Sequence, residues 1–221
     1  MKRVLFIGNS FTYFNDMPLL FEQLANDAGF DVHAVSVTKG GWYLHQFADP
    51  ENDMGKELRS VYPRHQWDYI VLQDQSFNPA GDPEDFLASV RSLRALMPQG
   101  RFVFYQTWPY EPNTAKLASV KTSYDDMYAG LRDAYTQAAR EHDGLLVPVG
   151  DGFHLVWQRK PELSLYMPDA FHPNLAGSYL AACLFFGCLS GLSPLTLSTP
   201  KKLDESKAKY LRELAQELIS R

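Results

Sequence analysis

Residues 4–12 read Val-Leu-Phe-Ile-Gly-Asn-Ser-Phe-Thr, an apolar run that breaks off at Gly8-Asn9-Ser10. Apolar residues without alternation, bounded by Lys2-Arg3 and a glycine, predict a strand covered on both faces. The same reading applies to Val32–Val37, Tyr69–Leu72, Phe102–Tyr105 and Leu145–Val149. Helical patterns fall between these runs. Met17–Ala28 is apolar at helical spacing and stops at Gly29. Pro83–Met97 follows Asp82, a capping residue with proline at the first helical position. Ser123–His142 is amphipathic and ends before Gly144, and Pro173–Leu189 is apolar throughout. Asp204–Ile219 carries Leu211, Leu214, Ala215 and Leu218 on one face, the pattern of a docked helix.

Alternating strands and helices predict a three-layer α/β/α domain with a five-stranded parallel sheet, doubly wound by right-handed crossovers. The 221 residues suit one such domain over 1–221, with a docked C-terminal helix at about 204–219. Acidic residues (26) outnumber basic ones (21), and no Lys/Arg run exceeds Lys201-Lys202, so nucleic acid is not an expected partner. Cys183 and Cys188 lie in the apolar run Leu180–Leu192 and read as packing residues. The apolar start is too short for a secretion leader and no segment suits a membrane span, so a cytoplasmic location is expected. His33, His45, His65 and His142 have no metal-ligand spacing, and His154 reads as structural or exposed. There is no Gly-x-Ser-x-Gly elbow, P-loop or Gly-x-Gly-x-x-Gly. No metal or organic cofactor is expected.

Two stretches carry chemistry. Ser10 lies just past the carboxyl end of the first strand, where open α/β sheets bind ligands. A helix-capping role for Ser10 is the alternative, although Asn15 or Asp16, before Met17-Pro18, suits that role better. The second stretch is Pro168-Asp169-Ala170-Phe171-His172-Pro173-Asn174. Pro173 fits the first position of the following helix and extends the backbone at His172. So short a loop brings the Asp169 carboxylate to one ring nitrogen and leaves the other to take a proton from a hydroxyl. Alone, this spacing reads more readily as a capping Asp beside a surface His. Together, the two stretches reach the same edge of a doubly wound sheet, and a nucleophile and its base become neighbours.

Gly8-Asn9-Ser10-Phe11-Thr12 near one end, with Asp169-Ala170-Phe171-His172-Pro173 near the other, resembles the SGNH/GDSL hydrolase superfamily across nearly the whole chain. The resemblance implies a flavodoxin-like sheet and membership among esterases and lipases, including carbohydrate deacetylases, acyl-thioesterases and lysophospholipases. It implies Ser10 as nucleophile, His172 as base and Asp169 as the third member. It also implies an oxyanion hole of three donors. These are the Ser10 N–H, a glycine N–H after the second strand, for which Gly41 of Gly40-Gly41 stands in place, and an Asn within Gly-x-Asn-Asp. An ordinary strand-to-helix turn would also want glycine there, and the two readings are compatible.

The sequence departs from the superfamily in that third block, which reads Leu72-Gln73-Asp74-Gln75-Ser76-Phe77-Asn78-Pro79. Gln75 falls at the expected distance from the strand and Asn78 is the reserve; Asp74 reads as a pocket acid or a strand-end cap. Asn9 also stands where Asp is usual. With Leu-Gln-x-Gln-Ser, this combination resembles a bacterial subgroup. Trp42, Asn78, Trp108 and Tyr110 are expected to touch substrate, a small-molecule or carbohydrate ester, O-acetylated sugar first. The aromatic, proline-rich loop Trp108–Lys116 is read equally as a rigid structural loop. The rival function is a non-catalytic carbohydrate-binding module on the same scaffold. A nucleotide-binding flavodoxin-like protein would explain the fold but neither Asp169 nor His172.

Overall fold

The computed structural model describes residues 1–221. Five strands, β1 (Lys2–Gly8), β2 (Val32–Thr38), β3 (Tyr69–Leu72), β4 (Arg101–Tyr105) and β5 (Leu145–Val147), form one parallel sheet in the order β2-β1-β3-β4-β5. After β1 the chain steps outward to β2, then returns across β1 to β3. Connections leaving β1 and β3 therefore diverge to opposite faces and open a crevice at their carboxyl ends, the ligand position of such sheets.

Eleven helices follow from the turns that bound them. Between β1 and β2 lie the single turn α1 (Ser10–Tyr13) and α2 (Met17–Asp27), joined by a 3₁₀ turn, Phe14–Asp16. Next come α3 (Leu44–Ala48), α4 (Asp53–Val61), α5 (Asn78–Gly81), α6 (Pro83–Leu96), α7 (Ala115–Ser119) and α8 (Tyr124–Glu141). The chain ends with α9 (Val149–Arg159), α10 (Leu175–Ser190) and α11 (Glu205–Ile219). Asp82, Ser123, Asn174 and Asp204 each cap the helix that follows, accepting a backbone N–H inside the first turn.

Strand side chains alternate between two apolar layers. Val4, Phe6, Val71, Val103, Tyr105 and Val147 meet α2, α9, α10 and α11 on one face. Leu5, Ile7, Ile70, Leu72, Phe102 and Phe104 meet α3, α4, α6 and α8 on the other. Helix α10 is buried nearly all round, between the sheet, α2 and α11, which explains its lack of a polar face. Cys183 and Cys188 lie within it as free thiols, and burial pushes both up to about 12. No helix is long and apolar enough to cross a membrane.

The expected elements are present, with three corrections. The fifth strand stops at Val147 rather than Val149: Pro148 breaks the ladder and α9 begins at Val149. Gly150 and Gly152 disguise α9 in the sequence; a Cβ on Gly150 would lie 2.3 Å from the Thr107 carbonyl, and one on Gly152 3.0 Å from Leu180. Pro173 is not the first helical residue. Asn174 caps α10, and Pro173 forms a bridge with Tyr166 outside the helix. Asp16 occupies the cap position of α2 but makes no side-chain bond there; Asn9 caps α1 instead.

Phe185 of α10 is fully buried, edge-on to Phe6 and Tyr105 at 5.3 and 4.9 Å. Phe185→Ala should cost about 3–5 kcal/mol in denaturant unfolding, as expected for deleting a packed aromatic ring.

Candidate active site

Strand β1 ends at Gly8, where a Cβ would lie 2.5 Å from Thr12 Oγ1 and 2.6 Å from Gln73 Oε1. Only glycine lets the chain turn this tightly onto the next strand. Gln73, level with Gly8 one residue beyond the Ile7–Leu72 pair, fills the space beneath the turn. Its Oε1 accepts the Asn9 N–H (2.9 Å) and the Thr12 hydroxyl (2.8 Å). Its amide nitrogen donates to Asn9 Oδ1 and to the Asp74 carbonyl. Asn9 in turn accepts from Phe11 N and donates through Nδ2 to the Trp42 carbonyl at 2.9 Å. Aspartate could not make that donation. The unusual Asn9 and the unusual Gln73 are therefore halves of one buried network.

This network presents Ser10 at the head of α1, 8% exposed. His172 arrives from the loop before α10. Asp169 Oδ1 accepts the backbone N–H groups of Phe171 (3.2 Å) and His172 (3.0 Å), closing a turn in which Ala170 is left-handed (φ 67). Its Oδ2 lies 2.7 Å from His172 Nδ1, and His172 Nε2 lies 2.7 Å from Ser10 Oγ. Burial alone would raise the Asp169 pKa, but the bonds from His172 and Phe171 hold it below the usual range. Asp169 is then an anion that only accepts, so Nδ1 carries the proton and Ser10 donates to the lone pair on Nε2. Such an arrangement can withdraw a proton from the serine hydroxyl.

Two tethers place the loop after β2 beside Ser10: Lys39 N–H to the Gly8 carbonyl (3.1 Å) and Asn9 Nδ2 to the Trp42 carbonyl. Gly41 lies between them with φ 74. Neither the Ser10 N–H nor the Gly41 N–H has an acceptor within the chain, which leaves both able to receive a ligand oxygen.

A protein from Slackia heliotrinireducens described as an SGNH hydrolase is 31% identical, with a TM-score of 0.75, over 85% of this chain and 98% of its own. The chain belongs to the SGNH hydrolase superfamily. Further likenesses are of fold alone. A DUF4886 family protein from Bacteroides uniformis is 19% identical over 99% of this chain and 95% of its own, with a TM-score of 0.83. A variant of an acetyl-xylooligosaccharide esterase from Geobacillus is 16% identical over 85% and 94%, with a TM-score of 0.60. No family model and no curated protein matches the sequence.

Against the superfamily pattern, several expected site residues lie elsewhere or are engaged. Trp108 is fully buried, stacked between Phe11 (4.5 Å) and Phe153 (4.2 Å), with its indole N–H on the Phe171 carbonyl. Tyr110 is buried with its hydroxyl 2.7 Å from Ser76 Oγ. Neither offers a ring to substrate; the loop is a structural brace. Asn78 is also occupied, because Nδ2 donates to Asp74 Oδ2 and Asp85 Oδ2, both at 2.8 Å. Gln75 turns its Oε1 onto the N–H groups of Phe77 (2.9 Å) and Asn78 (3.1 Å), and its side chain also reaches the Tyr110 hydroxyl. Trp42 remains half-buried, with Lys39 Nζ 4.3 Å above its ring. His154 is structural, stacked on Tyr128 at 3.9 Å.

The sequence reading missed Phe14 and Phe171, which enclose the His172 ring at centroid distances of 4.1 and 4.0 Å. It left Asp74 open between pocket acid and cap. Asp74 is buried, accepts the Leu44 N–H at 2.7 Å and so caps α3 from outside. Burial raises its pKa to about 6, with Asp85 adding to the rise and the donors from Asn78, Leu44 and Gln75 opposing it.

The folded chain thus holds the Asp74 proton up to about pH 6, while the unfolded chain releases it near the ordinary value of 3.8. Its contribution to stability is greatest below that lower value and is lost as pH rises through the folded one. Urea unfolding should show a fall on the order of 3 kcal/mol across that window. The pH-dependent component should be missing from Asp74→Asn.

Proposed function

We propose that this protein is a serine esterase that hydrolyses carboxylic esters by acyl transfer through Ser10. The observation that carries the proposal is the continuous chain from Asp169 through His172 to the Ser10 hydroxyl, with a 2.7 Å bond at each junction. His172 Nε2 takes the Ser10 proton as Oγ attacks the ester carbonyl. The carbonyl oxygen becomes an anion and is received by the N–H groups of Ser10 and Gly41 and by the NH₂ of Gln75. His172 then gives its proton to the departing alcohol. Water, activated by the same ring, releases the acid and restores Ser10. Asp169 holds the imidazole in one tautomer and offsets its positive charge in both steps.

For substrate, we favour an O-acetylated carbohydrate. With Trp108 and Tyr110 enclosed, the aromatic rings left partly exposed near the site include Tyr13, Phe14, Trp42, Tyr43 and Phe171, and flat rings suit sugar faces. Structural neighbours described as acetyl-xylooligosaccharide and acetyl xylan esterases support the same choice.

The test is hydrolysis of a small aryl acetate. Ser10→Ala and His172→Ala should each lower kcat/KM by at least about 1,000-fold, and Asp169→Asn by at least about 100-fold. A fluorophosphonate should label the wild type at Ser10 and leave Ser10→Ala unmodified. Equal hydrolysis by wild type and variants would remove the proposal; sugar binding without labelling would favour a non-catalytic module. Faster turnover of long-chain esters than of acetylated sugars would defeat the substrate choice alone.

A further inference from the structure

The turn between α1 and α2 is costly to build. Asn15 and Asp16 both adopt left-handed backbone, with φ of 55 and 51. Two consecutive non-glycine residues in that region persist only where surrounding bonds hold them. Here Asn15 Nδ2 donates to the Pro173 carbonyl (3.0 Å) and to Ser178 Oγ (2.9 Å). Ser178 Oγ in turn donates to the Phe14 carbonyl at 3.2 Å. All three bonds join this turn to the loop and helix that carry His172. Their result is that Phe14 lies flat on the imidazole, with ring planes 4° apart and centroids 4.1 Å apart. Phe171 covers the ring from 4.0 Å at a tilt of 39°, and Phe11 meets it edge-on at 5.8 Å.

We infer that Phe14, held over the imidazole by the strained Phe14–Asp16 turn and its Asn15 bonds, is a positioning residue for His172. The inference rests on the esterase reading above and adds a residue that the acyl-transfer steps do not themselves require. Hydrogen bonds at Nδ1 and Nε2, with the tether through Cβ, set the ring only while both are made; when the Ser10 bond breaks during turnover the imidazole can swing about its side-chain torsions. Aromatic rings pressed on its faces remove that freedom, so Nε2 stays aimed at Ser10 between turnovers. A side chain of similar bulk without a flat face fills the space but does not set the ring plane. Phe14 is only half-buried, so its exchange is compatible with folding.

The experiment compares wild type, Phe14→Leu, Phe14→Tyr and Asn15→Gly in aryl acetate hydrolysis, with thermal unfolding in parallel. Phe14→Leu should lower kcat about tenfold with KM within twofold, and Phe14→Tyr should restore most of the loss. Asn15→Gly, which suits left-handed backbone but deletes the bonds to Pro173 and Ser178, should lower kcat several-fold while unfolding near the wild-type temperature. Nitrogen-15 spectra of the imidazole supply a readout independent of turnover. One sharp His172 signal pair in the wild type should broaden in Phe14→Leu. Unchanged kcat and unchanged His172 signals in Phe14→Leu, or equal losses in the Leu and Tyr variants, would overturn the inference. If the wild type hydrolyses no ester, the esterase reading fails, and the spectra alone decide whether Phe14 orders the ring.

Discussion

The site depends on a buried amide, the side chain of Gln73. It stands at the end of β3 beside β1 and gives both its oxygen and its nitrogen to the turn that carries Ser10. A buried amide left half-paired would cost on the order of 1–3 kcal/mol, so the turn and the neighbouring strand are constrained to form together. Asn9 extends the constraint to the loop after β2 through the Trp42 carbonyl. Three connections from three strands are thereby locked at the crevice where β2 and β3 part on either side of β1. Neutral amides suit this position because each donates and accepts at once, and neither brings an uncompensated charge beside the serine.

Much of this was legible in the sequence. The five apolar runs mark the strands because helices cover both faces of the sheet, and the loss of alternation is the direct mark of that burial. Ser10 and the Asp169–His172 pair were legible because their spacing to strand and helix ends is local. Helix α9 was not, since its glycines are there for close packing on Thr107 and Leu180, which is a tertiary demand. Trp108 and Tyr110, in the loop after β4, read equally as pocket walls or as a rigid structural loop. Trp108 is enclosed by Phe11 and Phe153, and Tyr110 meets Ser76 and Phe171, all distant in sequence. Asn78 fell within range of the site, yet the carboxylates of Asp74 and Asp85 claim its amide hydrogens. Phe14 sat in plain view but gave no signal, because its meaning depends on where His172 lies.

Backbone strain sits in the turns, and three of the six left-handed non-glycine residues flank the two halves of the site. Ala170 is left-handed between Asp169 and His172, and Asn15 and Asp16 are left-handed beside Phe14. Each departure is compensated by bonds local to the site: Asp169 to its own turn, and Asn15 to Pro173 and Ser178. The sheet and the long helices carry none of this cost. Rigid layers thus supply the stability that allows the connecting turns to hold unfavourable conformations.

The two thiols on α10 have a practical consequence of their own. Both sulfurs sit where burial keeps them protonated at any ordinary pH, and the thiolate is the form that electrophiles attack. The native molecule therefore offers little thiolate at either position. Alkylation followed at the fully buried Cys183, rather than at the partly exposed Cys188, would at neutral pH count only molecules whose interior has opened, and so would serve as a clock for the opening of the helix that follows His172.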